Sequence, residues 1–88
     1  MLNGKSILIT GGTGSLGTAL TKRIFEQYPD IKRLVIFSRD EQKQFQMANK
    51  FPPEKYPSIR FFIGDIRDIS RVKRALRDID YVIHTAAM

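Results

Sequence analysis

Gly11, Gly14 and Gly17 recur at every third position in Thr10-Gly11-Gly12-Thr13-Gly14-Ser15-Leu16-Gly17, and this segment carries chemistry of a definite kind. An apolar run, Ser6 to Thr10, leads into it, and a helical pattern leads out of it. In that setting each glycine has a separate task. Gly11 lets the chain turn sharply off a strand, Gly14 leaves no side chain between the backbone and a pyrophosphate, and Gly17 lets the following helix pack closely on the sheet. The free amides of the helix and the positive end of its dipole would then receive phosphate oxygens, with Thr13 and Ser15 adding hydroxyl donors and Leu16 in the same first turn. No Gly-Lys-Ser/Thr follows, so the loop is not of the P-loop kind. The bland alternative is a glycine loop that serves only tight packing.

Three further segments offer functional groups. Phe37-Ser38-Arg39-Asp40 ends a second apolar run. An acidic residue at that place accepts from a ribose 2′-hydroxyl, whereas Arg39, backed by Ser38 and Lys43, suits a 2′-phosphate. This favours NADP over NAD. Two alternatives stay open: Ser38 and Glu41 as a capping box beside a merely solvated Arg39, and Asp40 brought to the ribose by a longer strand, which would favour NAD. In Gly64-Asp65-Ile66-Arg67-Asp68, the Asp65 carboxylate can accept from an adenine amino group while Ile66 covers the ring, or Asp65 and Asp68 can serve as turn and cap residues. Thr85 and Ala86 are small residues where a diphosphate-ribose would pass close to the backbone. His84, a lone histidine at a strand end, reads as a hydrogen-bonded structural residue, so no catalytic residue is assigned.

The elements that must position these groups alternate along the chain. Strands are expected over Ser6–Thr10, Leu34–Phe37, Phe61–Ile63 and Tyr81–His84. The first helix runs from Ser15 with Leu16, Ala19, Leu20, Ile24 and Tyr28 at helical spacing, and Pro29-Asp30 stops it. The second spans Glu41 to about Lys50 behind Ser38, Asp40 and Glu41 as capping groups. Asp68 and Ser70 can cap a third, whose Val72, Ala75, Leu76 and Ile79 form a stripe opposite a solvated face of Arg71, Lys73, Arg74 and Arg77. Alternation with right-handed crossovers predicts an α/β fold: a partial Rossmann domain with a parallel sheet in the order 3-2-1-4 and helices on both faces.

Composition narrows the remaining classes. The chain has 88 residues, a net charge of +6, no cysteine and one histidine. Disulfides, thiolate metal sites and imidazole clusters are thereby excluded, and no metal site is expected. The basic balance attracts polyanions without choosing among them, and no recognised nucleic-acid module is present. Without a long apolar stretch or a basic leader, no membrane association is expected and the location is read as cytoplasmic. A doubly wound fold continues past its fourth strand, so residues 1–88 are expected to be the amino-terminal part of a longer domain. Catalytic and substrate-binding parts would then be absent, and an open fourth-strand edge would favour a homo-oligomer.

Taken together, Thr10-Gly11-x-x-Gly14-x-x-Gly17, Ser38-Arg39-Asp40-Glu41, Gly64-Asp65-Ile66-Arg67-Asp68 and His84-Thr85-Ala86-Ala87-Met88 resemble the extended short-chain dehydrogenase/reductases. The second and third segments are most similar to UDP-N-acetylglucosamine 4,6-dehydratases of surface-polysaccharide and flagellin-glycan synthesis. The resemblance implies NADP bound through residues matching Thr13 to Leu16, Ser38 to Lys43, Asp65-Ile66 and Thr85-Ala86, and a nucleotide-sugar substrate in a full-length protein. It also implies a catalytic lysine, acid and base carried beyond residue 88, so that the 88-residue chain would not turn over substrate. An epimerase or reductase of the same superfamily is the second choice, and a self-associating structural module is the alternative of another class.

Overall fold

The computed structural model describes residues 1–11 and 13–85. Within the described residues seven elements follow one another: β1 (Ser6–Thr10), α1 (Ser15–Gln27), β2 (Arg33–Ser38), α2 (Glu41–Lys50), β3 (Ile59–Ile63), α3 (Ile69–Ala75) and β4 (Tyr81–His84). The four strands are parallel and lie in the order β3-β2-β1-β4, as the alternation predicts. In register, Thr10 of β1 pairs with Phe37 of β2 and with His84 of β4, while Ser38 pairs with Ile63 of β3. The residues that end the strands therefore share one edge of the sheet.

Alternate side chains of the inner strands feed two cores, as expected of a sheet covered on both faces. Ile7, Ile9, Leu34 and Ile36 pack with Ile24 of α1 and Met47 of α2 on one face. Leu8, Val35 and Phe37 pack with Ala75 of α3 on the other. Phe25, Phe51 and Tyr56 close the first core with ring centroids 4.8 to 6.1 Å apart. Those separations fall within the range of favourable aromatic contact.

Several local expectations are corrected. The buried residues of α1 are Gly17, Thr21 and Ile24, whereas Leu16 is 67% exposed and Ala19 lies on the exposed side. The helix presses its small side chains onto the sheet, and Thr21 Oγ1 donates to the Gly17 carbonyl at 2.8 Å, so its polar atom is satisfied inside. Helix α3 stops at Ala75, which leaves Leu76 and Ile79 in the turn beyond it. Asp78 in that turn adopts φ +61°, a left-handed conformation that a helix cannot accommodate. Two anchors hold this turn in place. The Arg33 guanidinium donates to the Arg77 and Asp78 carbonyls, and the Ser6 N–H donates to the Asp80 carboxylate at 2.8 Å.

Arg71 does not belong to a solvated face. Its guanidinium lies 4.3 Å from the Phe62 ring centroid and donates to the Ile63 carbonyl, so it ties α3 to the end of β3.

Candidate functional site

The glycine turn begins at Gly11, whose φ of +65° lies in the left-handed region that glycine adopts without strain. Its N–H donates to the Phe37 carbonyl at 2.9 Å, which stitches the turn to the end of β2. A Cβ added at Gly11 would lie 2.4 Å from the Thr85 carbonyl oxygen, so the approach of the β4 end also demands glycine. Gly14 differs. Among the described residues a Cβ there would meet only the Gly11 carbonyl oxygen, at an ordinary 3.7 Å, so the packing seen around it does not require a glycine.

Gly14 is also the N-cap of α1, which has no side-chain cap and no acidic residue in its first turn. The other two helices are capped by carboxylates. Asp40 accepts from the Lys43 N–H at 3.0 Å, and Asp68 accepts from the Arg71 N–H at 3.3 Å. Among the described helices, α1 alone begins without a side-chain cap, and its first-turn amides form a group of donors open to an anion. Thr13, Gly14 and Ser15 line a depression of 230 Å³ that also takes in Lys43 and Lys50.

Beside the turn, a crevice of 410 Å³ runs over the carboxyl ends of the strands, lined among others by Gly11, Ser38, Arg39, Asp65, Ile66 and Thr85. Ser38 is the last residue of β2 and is buried, while the Arg39 side chain that follows is 70% exposed. The capping-box alternative for Ser38 and Glu41 is not realised, because Asp40 is the N-cap and Ser38 lies inside the strand. The Asp40 carboxylate is spent on that cap, and β2 ends two residues before it.

Asp65 fulfils the turn role first. Its carboxylate accepts from the Arg67 N–H at 2.9 Å and from the Arg67 guanidinium at 2.8 Å, with the Arg39 guanidinium 3.7 Å away. The Arg67 side chain, then its backbone N–H, holds the Asp65 carboxyl down at about 2. The same pair raises the Arg67 guanidinium above its ordinary value. Ile66 beside it is 55% exposed and faces the crevice as an apolar surface.

At the far wall, Thr85 Oγ1 donates to the Thr10 carbonyl at 2.6 Å, and the His84 Nδ1 lies 2.5 Å from Thr10 Oγ1. The histidine thus ties β4 to β1, in line with its structural reading. Ala86, expected to bind cofactor, lies outside the described residues.

Of the expected site residues, the structure brings Gly11, Ser38, Arg39, Asp65, Ile66 and Thr85 around one crevice, with Thr13, Gly14, Ser15 and Lys43 around the neighbouring depression. Gly17 is buried on the inner face of α1, and Leu16 stands exposed on its outer side. Sequence reasoning missed Gln44. It is 4% exposed on α2, and its side-chain amide donates to Ser38 Oγ at 2.9 Å and to the Phe62 carbonyl at 3.1 Å. A buried polar residue in an otherwise weak apolar stripe was the signal available. Among the described residues, no three potential metal-ligating side chains cluster, and no helix is long and apolar enough to cross a membrane.

Comparison with known proteins gives this geometry a family. The chain is 54% identical over its whole length to a UDP-N-acetylglucosamine 4,6-dehydratase (inverting) of Campylobacter jejuni, and covers 25% of that protein. It is 45% identical over 86 residues to a UDP-glucose 4-epimerase of Rickettsia bellii, covering 96% of this chain and 24% of the relative. The chain therefore spans about a quarter of the length of the curated relatives it matches. Among solved structures, Pen from Bacillus thuringiensis superposes with a TM-score of 0.89 at 40% identity, over 99% of this chain and 27% of that one. A dTDP-glucose 4,6-dehydratase from Bacillus anthracis, in complex with NAD, superposes with a TM-score of 0.79 over 96% of this chain and 27% of its own. At 18% identity it speaks for the fold alone. A family profile described as polysaccharide biosynthesis protein matches residues 7–88, and the chain belongs to that family, within which it resembles the UDP-N-acetylglucosamine 4,6-dehydratases.

Proposed function

We propose that this chain is the cofactor-gripping portion of an NADP-dependent sugar-nucleotide 4,6-dehydratase, of the kind that acts on UDP-N-acetylglucosamine in surface-glycan synthesis. The observation that carries the reading is the uncapped start of α1 behind the open Gly14, beside a strand end bearing Ser38 and Arg39. The residues fit a dinucleotide. Backbone amides from Gly14 onward would take the pyrophosphate, with Thr13 and Ser15 adding hydroxyls. Arg39 and Lys43 would pair with a 2′-phosphate, and Asp65 with Ile66 would border the adenine. Thr85 and Ala86 would lie along the ribose. The cofactor supplies the redox step, and this chain's residues bind and orient it.

The choice of NADP rests on charge. An arginine follows Ser38, and the nearest carboxylate in sequence, Asp40, is committed to capping α2. A guanidinium matches a phosphate with paired hydrogen bonds, whereas a ribose hydroxyl gains little from it. Calorimetric titration of the chain with NADP and with NAD tests this. The reading requires saturable NADP binding, tighter than NAD binding, and it fails if neither nucleotide binds to the folded chain. An epimerase of the same family is the second reading, favoured by the Rickettsia relatives at 42–45% identity.

Self-association is a separate part of the proposal. Strand β4 pairs only with β1 among the described residues, and Tyr81 and Val82 are half exposed. Unpaired strand groups beside apolar side chains invite a second strand. Light scattering is expected to show dimers at micromolar concentration, and a monomer throughout that range removes this part. A chain of this family in a biosynthetic role would be cytoplasmic, which cell fractionation checks.

A further inference from the structure

Three features sit near the crevice outside the groups already assigned to it: the apolar hollow beside α3, the exposed His84 contact with Thr10, and the buried Gln44 amide. Gln44 carries an inference furthest. Its side-chain nitrogen faces three acceptors: Ser38 Oγ at 2.9 Å, the Phe62 carbonyl at 3.1 Å and the Ser38 carbonyl at 3.4 Å. Two of these are carbonyl oxygens, which only accept. The end of the amide that meets them must therefore be the NH2 group, so its orientation is fixed by chemistry. An NH2 group only donates, and Ser38 Oγ must accept in this contact. Its single O–H is then left to donate elsewhere, and among the described residues no acceptor takes it. Ser38 borders the crevice beside Arg39.

We propose that Gln44 is a positioning residue that fixes Ser38 as a hydrogen-bond donor toward an anionic group on the bound nucleotide, and so helps set the preference for a 2′-phosphorylated over an unphosphorylated dinucleotide. The inference rests on the cofactor reading above. A phosphate offers only acceptors and gains from a donor held in place. A ribose 2′-hydroxyl can donate or accept and gains far less from one fixed polarity. Bonded also to Phe62, Gln44 holds the ends of β2 and β3 together, so the donor sits on a rigid frame.

The test uses the chain titrated with NADP and NAD in four forms: unaltered, Ser38→Ala, Gln44→Met and the double variant. Ser38→Ala removes the donor while Gln44 keeps its bond to Phe62. It is expected to weaken NADP about ten- to a hundredfold, the range for one hydrogen bond to a charged group, and NAD by less than about twofold. Gln44→Met keeps length and neutrality but releases the Ser38 hydroxyl. It is expected to lower the NADP-to-NAD preference about fivefold in the unaltered chain and not at all in the Ser38→Ala background. A purely structural Gln44 would weaken both nucleotides together and would do so in either background, which overturns the proposal. Should Gln44→Met not fold, Ser38→Ala decides alone: a lost preference supports the proposal and an unchanged one overturns it. If the unaltered chain binds both nucleotides equally, this inference falls while the dinucleotide reading stands. If it binds neither, both fall.

Discussion

Replacing Gly11 with alanine separates what the glycine turn does for folding from what it does for a ligand. Two independent costs apply. The φ of +65° imposes a left-handed conformation on an L-residue, about 1–2 kcal/mol. The new methyl group would lie 2.4 Å from the Thr85 carbonyl oxygen and 3.0 Å from its hydroxyl, so β4 must move away from β1. Overpacking of that kind costs about 1–3 kcal/mol. Together the change removes about 2–5 kcal/mol from a domain whose stability is on the order of 5–15 kcal/mol. At about 4–8 °C per kcal/mol, Tm falls by at least about 8 °C in thermal unfolding followed by circular dichroism. Gly14→Ala is the control, because its methyl meets nothing among the described residues closer than 3.7 Å. That variant is expected to stay within about 1 kcal/mol of the unaltered chain, the scale of an N-cap change, while losing nucleotide binding. An unchanged Tm for Gly11→Ala, or an equal fall for Gly14→Ala, refutes the division of labour between the two glycines.

The other expectations can be checked on single variants. Asp65 titrates at about 2 because Arg67 bonds its carboxylate, so Arg67→Ala is expected to return it toward 3.8, read from its carboxyl carbon by NMR. The sign follows from a depressed folded value. The Asp65 pair contributes stability above pH 3.8 and loses it as pH falls toward 2, so acid unfolding of Arg67→Ala should lack that component. Asp40→Ala removes the α2 cap and is expected to cost about 1 kcal/mol in urea unfolding, with no cost indicating that the cap is not formed in solution. Phe37, 2% exposed between Phe62 and Gly64, should cost about 3–5 kcal/mol as Phe37→Ala, and a change below about 1 kcal/mol contradicts its place in the second core.

Strand order, the three helices and the parallel sheet were legible because short apolar runs alternate with helical spacing, and right-handed crossovers leave few topologies for such an order. Helix faces were less so. Of the stripe expected in Leu16, Ala19, Leu20, Ile24 and Tyr28, the last three pack on the first core, whereas Leu16 and Ala19 are exposed and α1 buries Gly17 and Thr21 instead, because close packing on the sheet selects for size and a satisfied hydroxyl rather than hydropathy. Asp78 in a left-handed conformation and the early stop of α3 are tertiary outcomes, held by Arg33 from a distant strand. In the candidate site, the Gly11 turn and the Ser38-Arg39 strand end could be placed from spacing and strand ends. The pairing of Asp65 with Arg67, the stacking of Arg71 on Phe62 and the role of Gln44 depend on side-chain geometry that no spacing rule encodes.

The most direct test of the cofactor reading is calorimetric titration of the chain with NADP and NAD, repeated on Arg39→Ala. The account predicts saturable NADP binding in the unaltered chain and a loss of about ten- to a hundredfold for NADP alone in the variant. NADP binding that Arg39→Ala leaves unchanged, or a folded chain that binds neither nucleotide, contradicts it.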